Sequence, residues 1–110
     1  MEVKSQDNKI WIHGKVYDFD HNIKKCIVFP NIIVIMFGEK DAIIKNNVIA
    51  IDYNARTLWN ISDIVNLKSS EVYVSITKET ENVFSVISYH GVEFHIDVTI
   101  RQIIKKAITK

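Results

Sequence analysis

Three residues whose side chains can do acid–base or metal chemistry alternate along one segment near the C-terminus. Glu93, His95 and Asp97 are spaced two apart in an alternating run, so on a β-strand all three point to the same face. Two carboxylates with an imidazole can hold a metal ion or move protons in a hydrolase. The solvent-facing side of an ordinary strand also looks like this, and that interpretation is simpler. A metal-dependent hydrolase stays one hypothesis, and loss of activity in His95→Ala is its test.

The other residues capable of chemistry are scattered. Asp18, Asp20 and His21 lie in one short segment with no further ligand cluster nearby, so a polar turn explains them. Cys26 is the single cysteine and stands in an apolar run, which predicts a buried structural thiol. The chain has no GxSxG, CxxC or HExxH motif, and its 3 glycines are too few for a phosphate-binding loop. We therefore expect no enzyme activity, no metal site and no cofactor.

The elements that carry these residues are predicted first from composition. The chain has 110 residues, with 20 Ile and 12 Val against 2 Leu and 4 Ala. β-Branched side chains lose rotamer freedom in helices and pack well on pleated sheets. A chain of this length fits one ordinary domain. The sequence therefore predicts a single all-β domain over residues 1–110, with residues 1–8 frayed.

Charge and hydrophobicity exclude two kinds of partner. The formal net charge is +1, and 12 of the 14 basic residues are Lys, so no basic, arginine-rich surface for nucleic acid is indicated. The longest apolar run, over residues 26–37, is interrupted by Pro30 and is shorter than the roughly 20 residues that span a membrane. The polar N-terminus lacks the apolar core of a signal peptide. We expect a cytoplasmic protein without a nucleic-acid or membrane partner.

Alternation and turn residues predict an antiparallel meander of seven to nine strands, either a curled sheet or a small sandwich resembling half a propeller. Pro30 marks a break, and His90-Gly91 marks a tight hairpin. Residues 38–47 form a polar loop that holds the apolar patch 42–44. The predicted strands cover residues 10–19, 23–29, 32–37, 48–53, 57–61, 72–77, 83–89 and 92–98.

The C-terminal segment has two interpretations. Its apolar residues between positions 100 and 108 have helical spacing, and Thr99 with Gln102 can form a capping box. The β-branched composition favours a final strand instead. A strand is the preferred prediction, and a short helix is the alternative.

An internal similarity supports the strand. Residues 50–59 and 95–104 each read as a strand ending in Asp, a short connection ending in Arg, and a second apolar pair. The offset from residue 50 to residue 95 is close to the period of propeller blades, although the chain is too short for a closed propeller. Asp52 and Asp97 are predicted to close Asx-type turns at the strand ends. A fainter copy starts at Phe19-Asp20.

Residues 47–52, 58–61 and 89–97 together resemble small bacterial all-β orphan proteins of the toxin-immunity type, which include immunity proteins of contact-dependent growth inhibition. These proteins have glycine in the turns where this chain has Ala55 and Ile100. The resemblance implies an inhibitor that binds one cognate toxin domain and blocks its active site. A small ligand-binding or regulatory β module is the alternative.

The resemblance also suggests where a partner would bind. If the toxin is a nuclease, its active site is basic, and the inhibitor is expected to meet it with loop carboxylates and aromatic anchors. A rigid β domain loses little conformational freedom on binding, which suits such an inhibitor. The candidate partner-binding residues are the carboxylates Asp18, Asp20, Glu39 and Asp41, with Trp11 and Tyr17 as anchors.

Overall fold

The computed structural model describes residues 3–65 and 71–108, and apart from one short 3-10 helix its regular elements are all β-strands. Within each sheet, every strand pairs antiparallel with the next one along the chain. The all-β prediction is confirmed, but the described residues form eleven strands in three sheets rather than seven to nine strands in one meander. The part of the predicted loop at residues 66–70, and the first two and last two residues, lie outside the described residues.

The first sheet corrects two predictions. Residues 3–6 form a strand instead of a frayed end, and residues 10–19 form two strands instead of one. The reason is a two-residue turn at His13-Gly14, where both residues have positive φ, 50° and 82°. Such a turn matches the twist of the strands it joins. The strands are β1 (Val3–Gln6), β2 (Lys9–Ile12) and β3 (Lys15–Asp18).

This hairpin determines which faces Val16 and Tyr17 occupy. Tyr17 pairs with Ile10, and Val16 pairs with Trp11. Directly paired residues of an antiparallel ladder point to the same face. Tyr17 therefore points inward with the buried Ile10, while Val16 lies on the outer face beside Trp11.

The second strand of the middle sheet, residues 32–37, is apolar on both faces. Val34 and Met36 pack toward the third sheet, whereas Ile33 and Ile35 pack toward the first. Side chains alternate along a strand, so a strand between two sheets needs apolar residues at every position. The strands are β4 (Ile23–Phe29), β5 (Ile32–Phe37), β6 (Val48–Ile51) and β7 (Thr57–Asn60).

The third sheet settles the C-terminal segment as a strand. A 3-10 helix, Ile61–Asp63, with Asn60 as its N-cap, leads away from the middle sheet. Residues 102–108 pair with the preceding strand, so the alternative of a C-terminal helix is wrong. As a strand, this segment forms backbone hydrogen bonds with the preceding strand. A helix in its place would leave the backbone groups at that edge of the preceding strand unpaired. The strands are β8 (Tyr73–Lys78), β9 (Val83–Ser88), β10 (Val92–Asp97) and β11 (Gln102–Ile108).

The three sheets pack against one another in the order of the chain, and the first strands of neighbouring sheets are in contact. β1 contacts β4, and β4 contacts β8, an arrangement that resembles part of a propeller. One apolar layer lies between the first and middle sheets and a second between the middle and third sheets. In the second layer, the ring of Phe84 stacks on Trp59 at 6.0 Å between centroids and lies 6.4 Å from that of Phe29.

The internal similarity corresponds to equivalent hairpins in two sheets. The Asp52 turn joins the third and fourth strands of the middle sheet, and the Asp97 turn joins those of the third sheet. Asp52 Oδ1 accepts from the backbone N–H groups two and four residues later, both at 2.9 Å. Asp97 Oδ1 accepts from those two and three residues later, at 2.8 Å and 3.1 Å. Asp20 instead lies between two sheets, so the fainter copy is not a third such hairpin.

Each of the two turns also uses a residue with positive φ that is not glycine. Ala55 has φ 62°, so it adopts the conformation that glycine would adopt there, and in the second turn Arg101 rather than Ile100 does so at φ 57°. In the first turn, the backbone N–H of Arg56 is the main cause that holds the pKa of Asp52 below its usual range. Both turns are thus shaped by the aspartate that precedes them.

Candidate functional site

The directions of the strands gather several loops at one end of the molecule, which we call the loop end. Ile23 at the start of β4 pairs with Phe37 at the end of β5, which places the loops before and after these strands side by side. The third sheet joins them, since the backbone N–H of Asn46 donates to Glu71 O at 2.7 Å. The loop end comprises residues 7–8, 19–22, 38–47, 61–65, 71–72 and 89–91.

The loop end is rich in carboxylates. Three of the four predicted partner-binding carboxylates, Asp20, Glu39 and Asp41, lie in its loops, and Asp18 lies directly beside it at the end of β3. Lys40 and Lys45 are the lysines of the described loop-end segments. The structure adds three carboxylates that were not singled out from the sequence: Asp7, Asp63 and Glu71.

The four predicted carboxylates differ in how they are held. Asp18 forms an exposed ion pair with Lys9, at 2.5 Å between Oδ1 and Nζ. Glu39 Oε1 accepts from the backbone N–H of Asn22 at 2.6 Å, so this side chain links two of the loops. Asp20 and Asp41 are exposed and have no hydrogen bond or ion pair with another described residue. These last two are the most available to a partner.

The two predicted anchors point to different sides of the first sheet. Trp11 is half-buried on the outer face, where it lines a shallow hollow with Lys4 and Gln6. Tyr17 is partly buried against the apolar layer under the same sheet. The structure therefore does not bring the two rings together on one surface.

A different aromatic residue stands at the loop end. Tyr89 is 73% exposed at the tip of the β9–β10 hairpin, and Ile43 in the loop opposite is 79% exposed. Two adjoining hollows of about 240 Å³ and about 410 Å³ share Ile43, Val72 and Tyr89. We call this surface the Tyr89 cleft; Glu39 and Glu71 also line it.

The sequence carried two signals for this cleft. One is the apolar patch at residues 42–44. It lies in a polar loop, so strand packing does not account for it. The other is Tyr89 directly before the His90-Gly91 turn, a position that projects a ring from a hairpin tip. Neither signal shows from sequence alone that the two segments meet, because residue 43 lies in a loop of the middle sheet and residue 89 lies in a turn of the third sheet.

The floor of the cleft is fixed by one buried amide. Asn47 is 4% exposed, and its Nδ2 donates to Phe37 O at 2.8 Å and to Tyr73 O at 2.9 Å. Its Oδ1 accepts from the backbone N–H of Tyr73 at 2.8 Å. A single side chain thus connects the middle sheet to the third sheet beneath the cleft, which makes the cleft a preorganised surface.

Beside this amide, burial raises the pKa of Tyr73 to about 12, and the negative charge of Glu71 adds to the shift. The unfolded chain loses this phenolic proton near pH 10, whereas the folded chain keeps it until about pH 12. The contribution of the Tyr73 hydroxyl to the free energy of unfolding is therefore fully present below pH 10 and is lost as the pH rises toward 12. We expect Tyr73→Phe to remove part of the alkaline loss, measured by urea unfolding at pH 8 and at pH 11.5. An equal loss in wild type and variant would contradict this assignment.

The residues that suggested a hydrolase do not converge. His95 Nε2 lies 2.5 Å from Glu93 Oε2, but the carboxylate of Asp97 is occupied by the turn that follows and by Asn82 Nδ2 at 2.9 Å. Ser85 pairs with His95 across the ladder, yet its hydroxyl donates to Glu79 at 2.8 Å. Within residues 3–65 and 71–108, no three His, Cys, Asp or Glu side chains are placed to hold a metal ion.

Fold and surface together define a small three-sheet β domain with an acidic, partly apolar loop end. A family model described as a domain of unknown function, DUF7957, matches residues 1–107, so the chain belongs to the DUF7957 family. No curated protein and no solved structure matches the chain. The described residues contain no helix long and apolar enough to cross a lipid bilayer.

Proposed function

We propose that this protein is a cytoplasmic immunity protein that binds one cognate bacterial toxin domain, a nuclease, and blocks its active site. The observation that carries the proposal is the loop end, where carboxylates surround an exposed apolar cleft with a tyrosine in it. Tyrosine and apolar anchors with a charged rim are typical of tight protein interfaces. A nuclease active site is basic because it binds phosphate, so an acidic surface complements it.

The shape of the cleft favours a protein over a small molecule. Small-molecule sites bury most of the ligand surface inside a pocket. The walls of the Tyr89 cleft are instead formed by Ile43 and Tyr89, which are themselves largely exposed to solvent. Such an open surface gives a small ligand little burial, whereas a protein partner can cover both side chains at once.

The primary test is genetic. The gene should lie directly downstream of a gene for a large secreted toxin, and expression of this chain should protect susceptible cells from that toxin. Absence of such a neighbour together with absence of protection would contradict the proposal. A thermal-shift screen distinguishes the immunity function from the alternative of a small ligand-binding module. A saturating small molecule that binds the folded chain raises its melting temperature.

The binding surface is tested with single substitutions and the purified toxin domain. We expect Tyr89→Ala to weaken binding by about 2 kcal/mol, roughly 30-fold, because a central aromatic anchor is lost. Asp20→Ala and Asp41→Ala should slow association, more strongly at low salt. Each change should alter the free energy of unfolding by about 0.5 kcal/mol or less, since all three side chains are exposed.

Two controls locate the interface. Glu81 is an exposed carboxylate at the opposite end of the molecule, so Glu81→Ala should bind as wild type. Trp11→Ala tests the outer face of the first sheet. Normal binding by the Tyr89, Asp20 and Asp41 variants, with a large loss in Trp11→Ala, would move the interface to that face and reject the Tyr89 cleft.

A further inference from the structure

The last strand, β11, is a free sheet edge of unusual composition. It is the outermost strand of the third sheet, and no described strand pairs with its other side. Seven residues long, it is as long as any strand in the described chain. An edge strand leaves alternate backbone N–H and C=O groups unpaired, and a long apolar edge is a template for another strand.

The apolar side chains of β11 continue the core layer into solvent. Ile103 pairs with Ile96, and Ile108 pairs with Val92, so both point to the inner face of the third sheet. Ile96 is fully buried and Val92 packs against the core, yet Ile103 is 39% exposed and Ile108 is 72% exposed. A strand added beside β11 would extend the ladder and cover both isoleucines.

Charge identifies the chemistry of that added strand. Lys105 and Lys106 stand at the centre of β11, both exposed, and Arg101 precedes it. The Lys106 ammonium lies 5.8 Å from the centre of the Phe94 ring on the inner face, while Lys105 pairs with His95 on the outer face. Both faces of the edge are therefore basic as well as apolar.

This charge disfavours a second copy of the chain as the occupant. A symmetric antiparallel pairing of two whole β11 strands is centred on Lys105 and places it opposite its counterpart. Like charges directly opposite each other destabilise a strand pair. A strand that places acidic side chains on the outer face meets Lys105 with opposite charge, while its apolar side chains cover Ile103 and Ile108 on the inner face.

We propose that β11 binds an extended segment of a partner protein in which acidic and apolar residues alternate, by adding it as a fifth strand to the third sheet. Main-chain hydrogen bonds supply affinity in this mode, and the alternate side chains supply specificity. β11 lies at the opposite edge of the third sheet from β8, whose start lines the Tyr89 cleft. The proposed strand site therefore lies along a different edge of the sheet from the cleft, and it does not depend on the immunity function.

The test uses the full chain and a capped eight-residue peptide of alternating glutamate and valine. We expect amide chemical-shift changes in NMR spectra that concentrate in β11, with slowed amide exchange there. A peptide with lysine in place of glutamate should not bind. The double variant Lys105→Glu/Lys106→Glu should lose affinity for the acidic peptide by about tenfold or more and should bind the basic peptide.

A matched control changes the same amount of charge elsewhere. The double variant Lys40→Glu/Lys45→Glu alters two exposed lysines of the loop end and should bind the acidic peptide as wild type does. Ile108→Ser, at an exposed position, should weaken binding without unfolding the chain. Equal binding of both peptides, shifts centred outside β11, or a wild-type dimer formed through β11 in sedimentation would overturn the proposal.

Discussion

Replacing Ile51 by Asp is expected to prevent the chain from folding. Ile51 is fully buried in β6, within the apolar layer between the first and middle sheets. A carboxyl group at that position would have no water and no partner, and this cost of several kcal/mol adds to the lost packing of the isoleucine. Together the two losses are comparable to the roughly 5–15 kcal/mol that stabilises a typical domain. Circular dichroism and the dispersion of NMR signals should both show an unfolded chain.

Ile43→Asp is the matched control for this change. It introduces the same charge at an isoleucine that is largely exposed in the loop end, so the variant should fold as wild type does. A folded Ile51→Asp variant, with its sheet spectrum retained, would contradict the layered packing of the first and middle sheets.

Replacing Asn47 by Ala is expected to reduce the free energy of unfolding by about 3 kcal/mol or more, since three buried backbone groups lose their hydrogen bonds at once. The loss should be seen as a lower urea midpoint. Binding at the Tyr89 cleft should weaken as well, because the amide holds Tyr73 and the loop in position beneath it.

Asn54→Ala supplies the comparison for this variant. Asn54 is exposed in the Asp52 turn, and only its backbone N–H takes part in that turn's hydrogen bonds. Its replacement should change stability by about 0.5 kcal/mol or less. Similar midpoints for the two alanine variants would show that the buried amide does not connect the sheets energetically.

Much of the fold follows from local sequence rules. The bounds of β4 and β5 agree with their predicted ranges, because two apolar runs flank Pro30 and the turn it forms with Asn31. The first hairpin was missed because alternation continues through His13-Gly14, so periodicity alone does not reveal the reversal. The number of sheets could not be predicted, because it depends on which consecutive strands do not pair with each other. Residues 19–22 connect the first sheet to the middle one, but their sequence resembles an ordinary hairpin turn.

The candidate site was predictable only in part. Loop carboxylates such as Asp20 and Asp41 could be named because polar loops are recognised from composition. Once the strands are known, their antiparallel directions place these loop carboxylates together at the loop end. The Tyr89 cleft could not be predicted, because it needs the third sheet to lie against the middle one, a contact made by side chains far apart in sequence.

The two apolar faces of β5 have a consequence for how the chain finds its strand register. In most strands, a slip by one residue moves apolar side chains into water, and this penalty selects the correct register. A slip of β5 would exchange one apolar face for the other, so burial alone gives little discrimination. Register must then be set at the ends of the strand, by the tight Pro30-Asn31 turn on one side and by the Asn47 hydrogen bond to Phe37 on the other.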